Sequence, residues 1–245
     1  MTYPYLTRVR LENYKNLNGR EWLALNQLNI LIGPNGAGKS NFIAGLRFLK
    51  ESVIAGVDAL GRDVTGLQAG LDGVGGIKII DDMLQRPSHT YLQFEFNETE
   101  AMPQGSIFEL DLHAPDDRPQ IFIHEECLRA AQTRSGNLQP FYYYKCHDRR
   151  SGEGVVSVYN ESGEGSHFEA IRDVPIDELS FNCITRLLED SQVPPERTPV
   201  YKVRRHLRDT ILAWRFYNSN DMSFKRIREA DPRMIETATA LAPNG

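Results

Sequence analysis

Near its start the chain carries Gly33-Pro34-Asn35-Gly36-Ala37-Gly38-Lys39-Ser40, which fits the spacing G-x-x-x-x-G-K-[ST] of a phosphate-binding loop. Such a loop turns successive backbone N–H groups inward around an anion, and this curvature requires glycines because they have no Cβ atom. The helix that follows directs its positive N-terminus at the phosphates. Lys39 is predicted to reach the β- and γ-phosphates of a nucleotide, and the Ser40 hydroxyl to ligate Mg²⁺.

The residues on both sides of the loop have the patterns that this motif requires. The apolar run Leu28-Asn29-Ile30-Leu31-Ile32 leads directly into Gly33, and it predicts a buried strand. After the loop, apolar residues recur at three- and four-residue intervals, which predicts an amphipathic helix. These residues are Phe42, Ile43, Leu46, Leu49 and Val53. The sequence therefore predicts a strand, loop and helix in the order of a nucleotide-binding fold.

The overall composition is that of an ordinary globular protein. The chain has 245 residues, of which 40% are hydrophobic and 25% charged, and this excludes disorder or a coiled coil as its general class. No apolar run approaches the roughly 20 residues of a membrane-spanning helix, and the first residues lack the pattern of a secretory signal. The three cysteines Cys127, Cys146 and Cys183 favour a reducing compartment over a disulfide framework. We therefore expect a cytoplasmic protein without membrane contact.

Three regions follow from the patterning along the chain. Residues 1–90 contain strands around Val9, Leu11 and Trp22–Leu25, the loop and its helix, and a Gly-rich stretch at 55–76 that predicts a mobile loop with helical pieces. Residues 91–172 alternate between polar and apolar in short runs separated by turn residues, which predicts antiparallel hairpins. Residues 173–245 become helical again, with Leu187-Leu188 in one helix and Val203, Leu207, Ile211 and Trp214 on one face of another.

The loop Gly33–Ser40 with the following Asn41 resembles the Walker A motif of RecF/SMC-type ATPases, a branch of the ABC-ATPase superfamily. Upstream, Leu11-Glu12-Asn13-Tyr14-Lys15-Asn16-Leu17 is similar to the N-terminal strand motif of that family, in which the basic residue and its neighbour approach the nucleotide. The segment Trp214-Arg215-Phe216-Tyr217 resembles one that is common in stand-alone "AAA-like" members, including OLD-type nucleases and anti-phage defence ATPases. The resemblance implies an α/β fold: an ABC-ATPase-like head lobe of the P-loop NTPase class, with an antiparallel β-subdomain and C-terminal helices.

The resemblance also implies which residues bind the cofactors ATP and Mg²⁺. Lys39 is the candidate catalytic residue and Ser40 the candidate metal ligand. The candidate nucleotide-binding residues are Gly33, Pro34, Asn35, Gly36, Ala37, Gly38, Lys39, Ser40, Asn41, Lys15 and Asn16.

The family hydrolyses ATP with residues that lie after the first lobe, and these residues are not evident here. No signature motif of the type L-S-x-G is present, and the two acidic pairs Asp81-Asp82 and Asp177-Glu178 are more typical of turns than of a Walker B strand. Gln192 or Arg186 is the candidate for the position that senses Mg²⁺ and water. We therefore interpret the chain as the N-terminal half of an ATPase head, whose Walker B and signature half is absent. A C-terminal half or a second copy of the chain is expected to complete it.

Two further features suggest sites of other kinds. His124-Glu125-Glu126-Cys127 and Cys146-His147 contain metal-binding residue types, but their spacing matches no standard zinc pattern. The segment from Lys202 to Arg233 contains nine basic and four acidic residues, although the whole chain has a net charge of -5. Lys202, Arg205 and Arg208, here called the basic stripe, are the candidates for contact with a DNA backbone. A solvated face or a surface that docks a partner would have the same pattern.

Several functions are compatible with these features. The leading hypothesis is the ATP-binding half of a RecF/SMC-type head that dimerises with ATP in DNA repair or anti-phage defence, with a nuclease as a possible partner. As an enzyme it would be part of an ATPase. The alternative is a non-catalytic nucleotide-sensing or interaction module. A transporter-type ABC subunit is disfavoured by the motif at Asn13–Asn16, and a GTPase by the absence of an N-K-x-D motif.

Overall fold

The computed structural model describes residues 4–54, 56–57, 63–64, 66–76, 89–100, 102–114, 121–131, 140–148, 152–162, 165–190 and 199–217. Its strands are β1 (Leu6–Glu12), β2 (Leu23–Ala24), β3 (Gly56–Val57), β4 (Asp63–Val64), β5 (His89–Phe96), β6 (Ser106–His113), β7 (Phe122–Ala130), β8 (Pro140–Asp148), β9 (Glu153–Ser162) and β10 (Gly165–Pro175). Its helices are α1 (Lys39–Ser52), α2 (Gly66–Val74), α3 (Ser180–Asp190) and α4 (Pro199–Ala213).

Eight of the strands form one antiparallel sheet in the order β10-β9-β8-β7-β6-β5-β1-β2. From β5 to β10 each strand pairs with the next one along the chain. This order arises because the two to nine residues between consecutive strands are too few for the crossover connection that parallel neighbours need. The hairpins predicted for residues 91–172 are therefore confirmed, and the whole is a mixed α/β fold. Strands β3 and β4 form a separate two-stranded hairpin.

The core lies between the helices and one face of this sheet. Alternate residues of the strands, such as Leu92, Phe94 and Phe96 of β5, are buried on that face. Helix α3 packs there through Phe181, whose ring meets that of Phe108 edge-on at 5.4 Å. Val203, Leu207 and Ile211 of α4 are also buried, which confirms these three positions of the predicted apolar face. Trp214, the fourth, lies just past the end of the helix and packs partly buried against the core. The opposite face of β5, β6 and β7 carries mainly polar side chains.

The Gly-rich stretch contains a packed helix where the sequence predicts a mobile loop with helical pieces. Helix α2 lies against α1, and two of its three glycines stand where a side chain would collide. A Cβ atom at Gly66 would lie 2.0 Å from the carbonyl oxygen of Ser52, and one at Gly70 would lie 2.1 Å from the Ser52 hydroxyl. These glycines therefore serve close helix packing and not only chain flexibility.

The predicted buried strand at residues 28–32 is wrong. The segment has no strand conformation, and Leu28, Ile30 and Ile32 are 79%, 74% and 90% exposed. A strand needs a neighbour for its backbone hydrogen bonds, and within the described part of the chain no strand pairs with these residues. The Asn29 side chain instead closes a local turn, accepting a hydrogen bond from Asn26 N at 2.9 Å and donating one to Asn26 O at 2.8 Å.

Candidate functional site

The phosphate-binding loop leads directly into helix α1, as its sequence predicts. Gly36 and Gly38 have φ angles of 83° and 89°, a left-handed conformation that residues with a side chain rarely adopt. Gly38 is the N-terminal cap of α1, and its carbonyl oxygen accepts the hydrogen bond of Phe42 N at 2.8 Å. Ala37 N donates to Pro34 O at 3.3 Å within the loop. The glycines are thus placed where the backbone requires them.

The lysine of the motif lies folded against its own loop. Its Nζ atom donates to the carbonyl oxygens of Gly33 at 2.8 Å and Pro34 at 2.7 Å. The ammonium group is therefore held beside the loop, at the start of α1, by two neutral acceptors. A phosphate is a stronger acceptor for an ammonium group than a carbonyl is, so Lys39 is placed to exchange these partners for an anionic ligand. Ser40 and Asn35 are exposed in the same region, and Asn41 is half-buried.

A tight turn that follows β1 packs against this loop. Tyr14 and Leu17 exchange two backbone hydrogen bonds of 3.0 and 2.8 Å, while Asn13 and Lys15 adopt positive φ angles of 54° and 52°. Asn16 lies at the tip of the turn. Its side-chain Nδ2 donates to Gly36 O at 2.6 Å, and its side-chain Oδ1 accepts from Asn41 Nδ2 at 2.7 Å. Asn16 therefore joins the turn, the loop and helix α1.

The close contact between turn and loop depends on small residues. A Cβ atom at Gly38 would lie 2.5 Å from Leu17 Cδ2 and 3.1 Å from Asn16 Oδ1. Two turns further along, in α1, a Cβ atom at Gly45 would lie 2.9 Å from Leu11 Cδ1. Lys15 lies beside the buried ring of Tyr14, with Nζ 6.0 Å from the ring centroid, and burial lowers the pKa of this lysine. The structure thus brings Asn16 onto the loop and places Lys15 on the same turn.

No contact in the described part of the chain joins this loop to the candidate residues for ATP hydrolysis. Asp81, Asp82 and Gln192 lie outside the described residues. Asp177 and Glu178 are half-buried in the turn between β10 and α3, consistent with turn acids. Arg186 lies in α3.

The histidines and cysteines singled out in the sequence do not form one cluster. Cys127 of β7 is paired in register with Tyr143 of β8. Because side chains alternate along a strand, Cys146 then points to the other face of the sheet. All three cysteines are free thiols. Burial raises the pKa of Cys127 to about 12, which keeps this thiol protonated. His124, by contrast, meets residues of β5 and β6 that no sequence pattern connects to it.

The basic stripe lies on the outer side of α4. Lys202 and Arg205 are exposed and Arg208 is half-buried. Arg204 points inward and donates to the carbonyl oxygens of Phe181 and, at 3.0 Å, of Asn182 at the start of α3. Its pKa is lowered by burial and by the neighbouring charge of Arg208. Lys225, Arg226, Arg228 and Arg233 lie outside the described residues.

None of the described helices is long and apolar enough to cross a membrane.

Sequence reasoning named Glu126 only among possible metal-binding residues and missed that its carboxyl group is the most deeply buried one of the described residues. Its carboxylate accepts hydrogen bonds from Tyr142 Oη at 2.5 Å and from the backbone N–H groups of Ser180 and Phe181, both at 2.8 Å. A signal was present, because the alternation in β7 places residue 126 on the same face as the buried Leu128. An acidic residue at a core position usually has specific partners.

A comparison with protein families matches the part of the chain that contains this loop. A family model described as "AAA domain, putative AbiEii toxin, Type IV TA system" matches residues 28–153, just over half of the chain. Among curated proteins, the DNA replication and repair protein RecF of Francisella tularensis subsp. mediasiatica (strain FSC147) is 31% identical over 48 residues. That match covers 20% of this chain and only 14% of the relative's length. No solved structure matches the chain.

Proposed function

Because this chain belongs to the AAA-domain family of the AbiEii type, we propose that it is the ATP-binding half of a RecF/SMC-type ATPase head. The observation that carries the proposal is the geometry at the start of α1. Gly36 and Gly38 give the loop its left-handed bends, and the ammonium group of Lys39 lies against the loop carbonyls. The ammonium of Lys39 needs only to exchange two carbonyl partners for phosphate oxygens. The residues present therefore fit a nucleoside triphosphate.

Each residue of the site has a separate part in this proposal. The backbone N–H groups of residues 33–38 and the N-terminus of α1 hold the phosphates, and Lys39 neutralises the terminal ones. Ser40 holds Mg²⁺, which when bound neutralises charge on the phosphates. Asn16 positions the loop through Gly36 and Asn41, and Lys15 contributes a positive charge beside it. Three free cysteines support a reducing, cytoplasmic setting.

The exposed run at residues 28–32 supports the proposal of a partner. It precedes the loop directly and presents Leu28, Ile30 and Ile32 to solvent, whereas soluble proteins seldom leave contiguous apolar segments uncovered. We propose that a strand from the C-terminal half of the head covers it, and that two such heads then pair around ATP. Without that half, the chain would act as a nucleotide-sensing module for a partner protein, which is the alternative function.

The process served by this ATPase is proposed from the relatives. The curated relative is named as a DNA replication and repair protein, and the family description refers to a toxin and a toxin–antitoxin system. Both favour a role in DNA repair or anti-phage defence, with DNA contacted through Lys202, Arg205 and Arg208 and with a nuclease as a further partner. The outward position of Lys202 and Arg205 on α4 supports the DNA contact.

Nucleotide binding is tested by titration calorimetry with ATP and Mg²⁺. Replacing Lys39 by Ala removes a charge-assisted contact worth about 1.5–3 kcal/mol, so the affinity should fall roughly ten- to a hundredfold. Lys202→Ala, an exposed lysine on α4, is the matched control and should bind ATP like the wild type. Equal affinities for Lys39→Ala and wild type would contradict the proposal.

The same samples distinguish the two functions. Light scattering with and without ATP shows whether two copies pair, and a phosphate-release assay shows whether they turn ATP over. Nucleotide-dependent pairing that Lys39→Ala abolishes supports the ATPase head. ATP binding without pairing or turnover, in the presence or absence of a C-terminal half, favours the sensing module.

A further inference from the structure

Three histidines and an aspartate meet at one end of β5, β6 and β7, on the face of the sheet opposite the helices. His89 is the first residue of β5, Asp111 and His113 belong to β6, and His124 belongs to β7. His89 Nδ1 lies 2.9 and 3.0 Å from the two carboxylate oxygens of Asp111. The ring of His89 is stacked on that of His113 at 4.3 Å and meets that of His124 edge-on at 5.0 Å.

A β-bulge brings His124 into this cluster. Asp111 pairs with Glu125, but the next pair is Leu112 with Ile123, so His124 is an extra residue in β7. In a regular ladder His124 would pair with Leu112 and would share its buried face. The bulge places Ile123 in the core instead and leaves His124 beside His89. Bulges commonly redirect a side chain next to a functional site.

The chemistry of the cluster is that of a metal site. One donor atom from each of His89, Asp111 and His124 lies within 4.8 Å of the others. Ligands of a tetrahedral zinc ion, with bonds of about 2.0–2.2 Å, are separated by roughly 3.4 Å, so small side-chain rotations would complete the geometry. We propose that His89, Asp111 and His124 bind a divalent first-row transition ion, for which Zn²⁺ is the probe. Two imidazoles and a carboxylate favour such ions over Mg²⁺.

The surroundings favour a cation at this place. The side chain of Asp111 is only 8% exposed, and Glu125 lies next to it on β7, paired with Lys145 at 3.0 Å. Burial raises the pKa of Asp111, while the hydrogen bond and charge of His89 oppose that rise. Asp111, alone of the three proposed ligands, also lines an open cavity of about 200 Å³ together with Tyr91 and Glu125, which leaves room for water beside its carboxylate.

The cluster also adjoins the turn that holds the phosphate-binding loop. The carbonyl oxygen of His89 accepts from Asn13 Nδ2 at 3.2 Å, and the Thr90 hydroxyl donates to Asn13 O at 2.9 Å. Asn13 begins the turn that carries Asn16 onto Gly36. An ion that joins β5, β6 and β7 would therefore brace the strand end on which this turn rests.

The test uses the full chain, free of any histidine tag, metal and nucleotide. Titration with Zn²⁺ by calorimetry should show one high-affinity ion per chain, and Co²⁺ should give the visible absorption bands of a site with nitrogen ligands. Asp111→Asn, which preserves the side-chain shape, and His124→Ala should each weaken Zn²⁺ binding more than tenfold. His147→Ala, which removes an exposed histidine of β8, is the matched control and should bind as the wild type does.

Two results would overturn the proposal. One is a wild-type chain that binds no more Zn²⁺ than the His89→Ala/His124→Ala double variant. The other is a His124→Ala variant with unchanged affinity, which would leave His89 and Asp111 as a structural ion pair. Circular dichroism confirms that each variant is folded, and ATP binding is not involved in any of these readouts.

Discussion

At the scale of single residues, Glu126 connects the sheet to the helical layer. It is 1% exposed, and its carboxylate accepts the first two N–H groups of α3, which have no partner within the helix. Tyr142 donates the third hydrogen bond. Burial raises the pKa of Glu126 to about 7, and these three hydrogen bonds limit the rise. The group therefore titrates near neutral pH in the folded chain.

This pKa predicts a specific dependence of stability on pH. An unfolded glutamate titrates near 4.3, so between about pH 4.3 and 7 the unfolded chain releases this proton before the folded chain does. The contribution of Glu126 to the free energy of unfolding is fully present below that window. The contribution decreases by about 1.4 kcal/mol per pH unit within the window, and it is lost once the pH has risen through 7.

Urea unfolding of the wild type and of Glu126→Gln at pH 4.5, 6 and 7.5 checks this prediction. Glutamine has the same shape but does not titrate, so the wild type should lose stability relative to the variant as the pH rises. A difference that stays constant over this range would mean that the carboxyl group titrates at its ordinary pKa.

At the scale of elements, the contact between α1 and α2 is set by glycine. Gly66 faces the backbone carbonyl of Ser52, and that carbonyl also accepts a hydrogen bond from Asn182 Nδ2 at 2.8 Å. A single contact therefore joins α1, α2 and α3 at a place where there is no room for a methyl group. Gly73 belongs to the same helix, but a Cβ atom there would lie 3.8 Å from Glu51 Cγ, an ordinary contact distance.

The two glycines should therefore respond differently to the same substitution. Gly66→Ala forces α1 and α2 apart and should lower the free energy of unfolding by about 1–3 kcal/mol, as overpacking does. Gly73→Ala should be neutral or should stabilise the chain by up to about 1 kcal/mol, because alanine has the higher helix propensity. Chemical denaturation of both variants measures this. A Gly66→Ala variant as stable as Gly73→Ala would show that close packing does not require glycine at position 66.

At the scale of the whole molecule, charge is distributed unevenly. The chain has a net charge of -5, yet the outer side of α4 presents Lys202 and Arg205, with Arg208 half-buried beside them. The buried Val203, Leu207 and Ile211 hold this helix against the core. The orientation of the basic stripe is therefore determined by packing, and its three side chains are positively charged although the net charge of the chain is negative.

If this surface binds DNA, affinity should be independent of sequence and should fall steeply with salt, since each neutralised phosphate releases counterions. Replacing Lys202, Arg205 and Arg208 by alanine should reduce the slope of log affinity against log salt by up to about three. Arg20, Lys145 and Arg172, replaced together, are the control with the same change of charge. Fluorescence anisotropy with duplex DNA measures both. Equal binding by the two triple variants, or no binding by the wild type at low salt, would contradict a role of the stripe in DNA contact.

Local patterns predicted much of the fold and part of the site. The loop Gly33–Ser40 and helix α1 follow from glycine conformation and from apolar spacing within one segment. The hairpins of residues 91–172 follow from alternation and short turns. The apolar face of α4 follows from the positions of Val203, Leu207 and Ile211. Each of these features depends on residues that are close together in the chain, so a single sequence contains the necessary information.

Features that join distant segments required the tertiary structure. The run Leu28–Ile32 has the composition of a buried strand, but a strand also needs a neighbour, and within the described residues it has none. Asn16 reaches Gly36 because the turn after β1 packs on the loop. His124 reaches His89 because one bulge shifts the register of β7. Apolar spacing and turn residues sufficed to predict helices α1 and α4 and the hairpins of residues 91–172, since those choices depend on local backbone preferences. Only the packing of these segments decided which side chains meet, because burial and register are properties of the pairs they form.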